Sequence, residues 1–404
     1  MSSLRKDVLK SKLSAVPAVS LKDLIEEEEE EESGSVQLNG LLTGLRRPRN
    51  KVDYSPIGSG EYFPVRLVAP LSGDDSEHVV YYKPPLPARL QNDDQANTSQ
   101  RVNKFFIFHH GAGSSGLTFA VTCKELQARL GSKGNESIGL VSFDARGHGS
   151  TQHTADDEDL ALSTLARDFV QLVLFVVEHL NHNEDDKVEV DTCEFVFVGH
   201  SLGGAVVTEA VNQFDTLWKS QLRPKPRISG LVVLDIVEGS ALEGLASMRG
   251  FLASRPQYFG SVADGVRWHV KSHTIRSVES ARVSVPDLLM EPSSSNNSNG
   301  QDHNRVRWRT DLAATEQFWT GWFLDLSAKF LAARTGKMLV LAGTDRLDRT
   351  LTIGQMQGKY QLEVVPESGH FIQEDAASKL AELMAQFWFR NRAGAAQHVT
   401  GSWR

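Results

Sequence analysis

A serine stands between two glycines in the pentapeptide Gly199-His200-Ser201-Leu202-Gly203. A serine hydroxyl becomes a useful nucleophile when a neighbouring base removes its proton, and a sharp strand-to-helix turn flanked by glycines exposes such a serine. The pattern is common by chance, but an apolar stretch precedes it at Glu194 to Val198 and small residues follow it from Gly204. This order of strand, turn and helix predicts Ser201 as the nucleophile of an acyl-transfer reaction.

The base for this serine should come late in the chain, because nucleophiles of this kind take their partners in the order serine, acid, histidine. His370 lies in the glycine-containing loop Glu367 to Phe371, after the last predicted strand, and is the predicted base. Four other histidines precede or adjoin the serine, namely His109, His110, His148 and His200. We expect these four to structure loops rather than to transfer protons.

Two aspartates are candidates for the acid that orients the histidine. Asp235 and Asp345 each follow an apolar stretch that predicts a strand, and Asp348 is a weaker option in the second loop. The usual placement favours Asp345, because it follows the strand immediately before that of the histidine. Chain order permits either residue, so the pattern alone leaves the acid undecided between them.

Two main-chain N–H groups should stabilise the oxyanion that forms when the serine attacks a carbonyl. The N–H of Leu202, directly after the nucleophile, is one predicted donor. The glycine-rich loop His110 to Gly113 should supply the other, and Ala112 is the expected residue. The sequence has no metal-ligand motif and no phosphate-binding loop, so we expect no metal and no cofactor, and the predicted reaction is acyl transfer to water.

Predicted strands and helices alternate around these residues. Helices are predicted over 119–130 and 160–180, and apolar strands at 104–109, 138–143, 194–198, 231–234, 338–341 and 360–365. Such alternation builds a mostly parallel sheet flanked by helices, with loops gathered at the carboxyl ends of its strands. Together with the serine turn, it indicates an α/β-hydrolase fold over residues 51–404.

Two segments depart from this alternation. Between the strands that end near Asp235 and Leu341, a Trp-, Arg- and Ser-rich stretch with helix-like periodicity predicts a mainly helical cap over about residues 240–335. Its polar stretch at about 291–304 predicts a mobile loop. Residues 1–50 contain the acidic run Glu26 to Glu32, which repels itself and buries little, so a disordered tail is expected there.

Bulk properties narrow the class of protein. A net charge of −8 over 404 residues argues against a nonspecific nucleic-acid binder. The chain has only the cysteines Cys123 and Cys193 and no secretory leader pattern, which predicts an intracellular location. The cytoplasm is expected, and the basic patch Arg46 to Lys51 leaves nuclear entry open. No apolar run is long enough to span a bilayer, so a soluble protein without a membrane partner is expected.

Motifs outside the serine turn resemble the protein phosphatase methylesterase family. The likeness runs from about Asp53 to the last helix, and its most specific parts are Leu234 to Gly239, Ser277 to Ser284 and Leu341 to Lys359. This resemblance implies that Asp235, in Leu-Asp-Ile-Val-Glu-Gly, is the acid of a triad with Ser201 and His370. It also implies a structural role for Asp345.

The sequence departs from the family at two places. Leu202 stands where the animal members carry methionine, and the Glu291 to Asn304 loop is shorter and less acidic than the animal insert. Neither difference touches the reaction. Any function of the animal insert is therefore not transferred to this chain.

The resemblance also implies a substrate and a partner. It implies a serine carboxylesterase that hydrolyses the methyl ester on the carboxy-terminal leucine of the type 2A protein phosphatase catalytic subunit, through an acyl-enzyme on Ser201. It further implies docking to the folded phosphatase, whose contact could align the triad. A peptide-shaped groove is expected, which Trp268, Trp319 and Trp322 could line, although the same residues could instead anchor the cap on the sheet.

Two other functions are compatible with these residues. A general carboxylesterase or lipase for small esters would keep the fold and the triad, and a noncatalytic phosphatase-binding scaffold would keep the partner. The cap is rich in arginine, at Arg276, Arg282, Arg305, Arg307 and Arg309. Such a cap suits a protein surface or a carboxylate-rich tail better than a lipid pocket. An intact serine, histidine and aspartate set argues against a protein that only binds.

Overall fold

The computed structural model describes residues 52–71, 77–86, 104–133, 137–151, 159–180, 192–217, 225–291, 305–343 and 347–400. Several predictions concern residues outside these ranges. They are the N-terminal tail with its acidic run, the basic patch, most of the polar loop at 291–304, and Asp345.

An eight-stranded sheet lies at the centre of the fold. Its strands are β1 (Val65–Pro70), β2 (Glu77–Lys83), β3 (Lys104–His109), β4 (Ile138–Phe143), β5 (Thr192–His200), β6 (Lys225–Leu234), β10 (Lys337–Leu341) and β11 (Gln361–Val364). They follow the order β1-β2-β4-β3-β5-β6-β10-β11. Strand β2 pairs antiparallel with β1 and β4, and every other pair of neighbours is parallel. The predicted, mostly parallel sheet is therefore confirmed.

Helices cover both faces of this sheet. In chain order the helices of the described residues are α1 (Ala120–Lys133), α2 (Leu162–Leu180), α3 (Leu202–Leu217), α4 (Glu238–Ser254), α5 (Val262–Lys271), α6 (Val278–Ser284), α7 (Glu316–Phe323), α8 (Leu326–Ala332), α9 (Arg349–Met356), α10 (Ile372–Asp375) and α11 (Ala377–Thr400). None of them is both long and apolar enough to cross a membrane.

Two apolar cores result, one on each side of the sheet. Helices α2 and α3 pack in the first core, and α1 and α11 pack in the second. The strand β3 serves both, because Phe105 faces the first core while Phe106 and Phe108 face the second. Burying each of these rings stabilises the fold by roughly 2 kcal/mol. A parallel strand buried on both faces needs such a continuous apolar run, which is why the sequence revealed it.

The segment between β6 and β10 is mainly helical, as predicted, but it also contains a small sheet. Its strands are β7 (Tyr258–Phe259), β8 (Leu289–Met290) and β9 (Val306–Trp308), paired antiparallel in the order β7-β9-β8. Strands of two or three residues are too short to show alternation, so the sequence did not predict them. Phe259, Val266 and Trp268 belong to a separate apolar core in this segment.

Three of the four tryptophans of this segment, Trp268, Trp319 and Trp322, are buried, each 3–5% exposed. Trp268 lies in the core of the segment itself. The indole N–H of Trp322 donates to the carbonyl of Leu160 at 2.7 Å, which ties α7 to the residues before α2. The indole of Trp319 donates to the Thr315 hydroxyl at 2.8 Å. Trp319 and Trp322 also pack in the first core of the sheet, so these two residues anchor the segment on the body of the protein.

A buried carboxyl group joins three parts of the fold. Glu374, on α10, accepts hydrogen bonds from the hydroxyls of Thr118 at 2.5 Å and Ser284 at 2.7 Å. Its main-chain carbonyl accepts another from the Ser280 hydroxyl at 2.9 Å. Burial raises the pKa of Glu374 to about 8, even though both hydroxyls favour its ionised form.

This raised pKa predicts that stability falls as pH rises. Between the ordinary pKa of 4.5 and about 8, the folded protein holds a proton that the unfolded chain releases. The contribution of Glu374 is therefore fully present below pH 4.5 and is lost as the pH rises through 8. Between pH 6 and pH 9 we expect the melting temperature of the wild type to fall by several degrees relative to Glu374→Gln. Parallel melting curves across that range would contradict the prediction.

Candidate active site

Ser201 occupies the turn between β5 and α3 with a strained backbone. Its φ is 52°, in the left-handed region that side chains other than glycine rarely adopt. Its N–H donates to the carbonyl of Leu234 at 3.0 Å. A Cβ on Gly199 would lie 2.2 Å from the carbonyl oxygen of Gly203, and one on Gly203 would lie 2.2 Å from that of His109. Both glycines are therefore required, since the turn packs main chain directly on main chain.

Asp235 follows β6 directly and points into the protein. Its φ is 48° and its side chain is fully buried. One carboxylate oxygen, Oδ1, accepts from the N–H of Ala342 at 2.9 Å, and the other, Oδ2, lies 2.8 Å from Nδ1 of His370. The structure thus brings together the histidine and the aspartate that the family resemblance implied. Asp345 lies outside the described residues.

His370 lies in the loop between β11 and α10, with its side chain 43% exposed. Because Asp235 accepts a hydrogen bond at Nδ1, the atom Nε2 is left to exchange a proton with a nucleophile. Among the described residues, no hydrogen bond joins the Ser201 hydroxyl to this ring. Such contacts often form only when substrate is bound.

Two residues without a predicted role at the site, Asp375 and Arg276, hold the histidine loop. The carboxylate of Asp375 accepts from the N–H of Gly369 at 2.8 Å and from the N–H of Arg276 at 2.7 Å. The Arg276 guanidinium in turn donates to the carbonyl of Glu367. Arg276 belongs to the segment between β6 and β10, so this segment contacts the loop that carries His370. In the sequence, Arg276 was indicated only as one of the arginines of the cap, and nothing indicated its contact with the histidine loop.

His200, the residue directly before Ser201, contacts the main chain of His370. Its buried Nε2 lies 2.8 Å from the carbonyl oxygen of His370, and the centroids of the His200 and His370 rings are 4.6 Å apart. A carbonyl can only accept, so Nε2 carries the proton and Nδ1 does not. Burial, and secondarily the charge of His370, lowers the pKa of His200 to about 3. The His200 ring is therefore neutral at physiological pH and contacts the loop that carries His370.

Removing this contact should slow the reaction. His200→Phe keeps an aromatic ring but loses the donor to His370, so the base shifts away from the serine. We expect kcat for a small ester to fall about 10- to 100-fold, because displacements near 1 Å have effects of that size. His200→Gln, which retains an N–H donor, should recover part of the loss. A wild-type kcat in a folded His200→Phe protein would show that the contact is dispensable.

The predicted oxyanion donors lie on the two sides of the serine turn. Leu202 begins α3, and Ala112 lies in the glycine loop that follows β3. That loop passes close to Ser201, since a Cβ on Gly111 would lie 3.0 Å from Cβ of Ser201. Within the described part of the chain, neither the N–H of Leu202 nor that of Ala112 donates to a protein acceptor. Both groups are thus available to a substrate oxygen.

The three remaining histidines are buried and structure the loops after β3 and β4. Nδ1 of His109 lies 2.8 Å from the carbonyl oxygen of His110, and Nε2 of His110 accepts from the N–H of Ala145 at 3.0 Å. Nδ1 of His148 lies 2.7 Å from the carbonyl oxygen of Arg146. Burial lowers the pKa of all three rings. Their contacts agree with the loop-structuring role that the sequence analysis expected.

Asp144, at the end of β4, is a further buried residue that the sequence analysis passed over. It accepts from the N–H groups of Gly116 and Ser150, each at 2.8 Å, and from the Tyr81 hydroxyl at 3.1 Å. Burial, and secondarily the nearby Asp287, raises its pKa well above the ordinary value. These bonds fix the loops beside the glycine loop, so Asp144 supports the site without facing it.

Comparisons with known proteins agree with this fold and identify the family. The alpha/beta hydrolase family matches residues 106–383. Protein phosphatase methylesterase 1 of Aspergillus fumigatus is 39% identical over 97% of this chain and 89% of its own length. The protein of the same name from Aspergillus oryzae is 41% identical over 87% of this chain and 75% of its own length.

Among solved structures, E-2-(acetamidomethylene)succinate hydrolase is similar in fold, with a TM-score of 0.55. The similarity covers 80% of this chain and 98% of the hydrolase chain at 17% identity, so it supports a shared fold and nothing more. The fungal relatives are much closer in sequence and align over most of the chain. This chain therefore belongs to the protein phosphatase methylesterase 1 family of α/β hydrolases.

Proposed function

We propose that this chain is a serine carboxylesterase that removes the methyl ester from the carboxy-terminal leucine of the type 2A protein phosphatase catalytic subunit. The observation that carries the proposal is the buried Asp235 carboxylate, 2.8 Å from Nδ1 of His370, in a chain whose Ser201 forms a strained turn. The name shared by the fungal relatives supports a phosphatase methyl ester as substrate. The family resemblance of the sequence motifs supplies the leucine and the type 2A subunit.

The first half of the reaction forms an acyl-enzyme. The hydroxyl oxygen of Ser201 attacks the ester carbonyl carbon while Nε2 of His370 takes the hydroxyl proton. Asp235 keeps the ring oriented and stabilises its positive charge. The N–H groups of Leu202 and Ala112 donate to the oxyanion. The C–O bond to the methoxy group then breaks, and methanol leaves with the proton from His370.

The second half returns the enzyme to its starting state. A water molecule gives a proton to His370 and attacks the acyl carbon, which forms a second oxyanion in the same place. The bond to Ser201 breaks, the serine oxygen regains the proton from His370, and the carboxylic acid is released and loses its proton to solvent. Apart from the substrate and one water molecule, each step uses only side chains and main-chain N–H groups of this chain, so the proposal includes no cofactor and no metal.

Docking to the folded phosphatase is part of the proposal. Arg276 supports it, because this partly exposed residue lies outside the sheet and yet bonds to Asp375 and Glu367, which flank the histidine. A partner that contacts the segment between β6 and β10 could therefore change the position of His370 through Arg276. We also propose that the reaction takes place inside the cell, in the cytoplasm, with the nucleus left open.

The test compares two substrates. We expect kcat/KM for the carboxymethylated catalytic subunit to exceed that for a small methyl ester by about 100-fold or more, since remote contacts supply binding energy to the reaction. Methanol release measures both rates. Equal values would indicate a general carboxylesterase, and binding of the phosphatase without methanol release would indicate a scaffold.

A further inference from the structure

A cavity of about 750 Å³ lies among α4, α7 and the small β7-β9-β8 sheet. Its lining contains more cationic than anionic side chains. The cations are Arg249, Arg255, Arg307 and Arg309, and the carboxylates are Asp311 and Glu316. The cavity therefore carries net positive charge in a chain whose overall charge is −8.

Two of the four arginines are already engaged. A guanidinium nitrogen of Arg249 lies 2.7 Å from the carboxylate of Glu316. Arg309 donates to the carbonyls of Asp287 at 3.1 Å and Leu289 at 3.0 Å. By contrast, the guanidinium groups of Arg255 and Arg307 make no hydrogen bond or close ion pair with any residue that the structure describes. Arg255 and Arg307 are therefore the two cations of the lining whose guanidinium groups have no hydrogen-bond partner among the described residues, and the carboxylate of Asp311 acts on Arg255 only as a nearby charge.

Arg255 is held in a geometry suited to a carboxylate. Its guanidinium carbon lies 4.3 Å from the centre of the Trp308 ring, and that indole is fixed by a 2.7 Å hydrogen bond to the carbonyl of Pro256. The Nε atom is buried without a partner among the described residues. Burial lowers the pKa of Arg255 to about 10, which leaves the group charged at neutral pH. A guanidinium stacked on a ring can still donate from its two terminal nitrogens to both oxygens of a carboxylate.

The cavity adjoins the loops of the candidate active site. After β9 the chain lines the cavity and continues to Leu312. The Leu312 side chain packs closely on Gly113 of the glycine loop, because a Cβ added to Gly113 would lie 2.6 Å from Cδ1 of Leu312. The Thr310 hydroxyl, also in the lining, donates to the carbonyl of Gly147 at 3.0 Å. Both glycines lie in loops at the carboxyl edge of the sheet, as does Ser201. Residues 310–312 therefore connect the cavity lining to the loops beside Ser201, and we infer that a peptide with its terminus at Ser201 extends toward this cavity.

We propose that this cavity binds an acidic side chain of the peptide that carries the methyl ester, with Arg255 as the main contact and Arg307 as a second cation. The inference rests on the proposed function and adds a charge preference to it. A methyl-esterified terminus has lost its own negative charge, so it cannot supply this contact itself. The anion must come from another residue of the peptide.

The test uses methyl-ester peptides with a single glutamate at successive positions before the terminus, each matched by a glutamine peptide. At one position we expect glutamate to lower KM about tenfold or more, because hydrogen bonds to charged groups have effects of that size. Arg255→Met should remove this preference, and Arg307→Met should reduce it. Arg349→Met, at an exposed arginine outside the lining, is the matched control and should keep it. Small-ester hydrolysis should be the same in all four proteins.

Equal KM values for every glutamate and glutamine pair, or a preference that survives Arg255→Met, would overturn the inference. Should Arg255→Met fail to fold, Arg307→Met still decides, since its side chain is exposed. Binding of the same peptides to Ser201→Ala, measured by fluorescence anisotropy, separates the site from the reaction. A glutamate preference in binding without any turnover by the wild type would support the cavity and defeat the proposed function.

Discussion

Replacing Ser201 with alanine should abolish ester hydrolysis and leave the fold intact. Alanine removes only the hydroxyl, and it keeps the main-chain hydrogen bond from position 201 to the carbonyl of Leu234. The left-handed backbone at 52° strains alanine no more than serine. Loss of a triad serine lowers turnover by about 10⁴ or more. Initial rates on a small ester, with circular dichroism for the fold, measure both parts of the prediction.

A second serine supplies the control for this experiment. Ser254, near the end of α4, is exposed, and its hydroxyl donates only to the local carbonyl of Phe251 among the described residues. Ser254→Ala should hydrolyse esters at the wild-type rate. Substantial activity in Ser201→Ala would mean that another group is the nucleophile, and the assignment of the whole site would fall.

Replacing Asp235 with asparagine should be nearly as damaging. An asparagine oxygen can still accept from the N–H of Ala342, which then turns the amide N–H₂ toward Nδ1 of His370. The amide N–H₂ and a protonated Nδ1 are both donors, so the contact forms only when the ring carries its proton on Nε2 instead. In that tautomer Nε2 cannot accept the proton of the Ser201 hydroxyl. Fixing the histidine in the wrong tautomer lowers kcat by about 10⁴ in triads of this kind. The rate at neutral pH is the measurement.

The comparison variant is Asp345→Asn, because the sequence pattern alone left these two aspartates undecided. We expect its kcat to stay within about tenfold of wild type, as for a residue outside the triad. The reverse result, with full activity in Asp235→Asn and a large loss in Asp345→Asn, would transfer the acid to the later loop. Equal, small losses in both would show that the histidine needs no carboxylate.

The sequence predicted the central sheet well because its strands are buried on both faces. Short continuous apolar runs such as Lys104–His109 and Ile138–Phe143 are typical of such strands, and the glycines around Ser201 mark a turn that admits no side chain. Strands β5 and β6 proved longer than predicted, reaching back to Thr192 and Lys225. Their first halves mix polar and apolar residues, which hides them from an apolar-run criterion.

Long-range contacts are what the sequence could not give. The choice between Asp235 and Asp345 depends on which strand end lies against His370, and chain order is the same for both. The hydrogen bond from His200 to the histidine loop spans 170 positions. The stacking of Arg255 on Trp308 likewise depends on how α4 meets a strand of three residues. The family resemblance implied Asp235 for the first of these questions and gave no indication for the other two.

The mass of the phosphatase catalytic subunit tests the central claim most directly. A carboxymethylated subunit incubated with the wild-type protein should lose the mass of one methylene group from its carboxy-terminal peptide, as methyl ester becomes free acid. The same subunit incubated with Ser201→Ala should keep its full mass. A subunit whose mass is unchanged by the wild-type protein would contradict the proposed function, whatever activity small esters reveal.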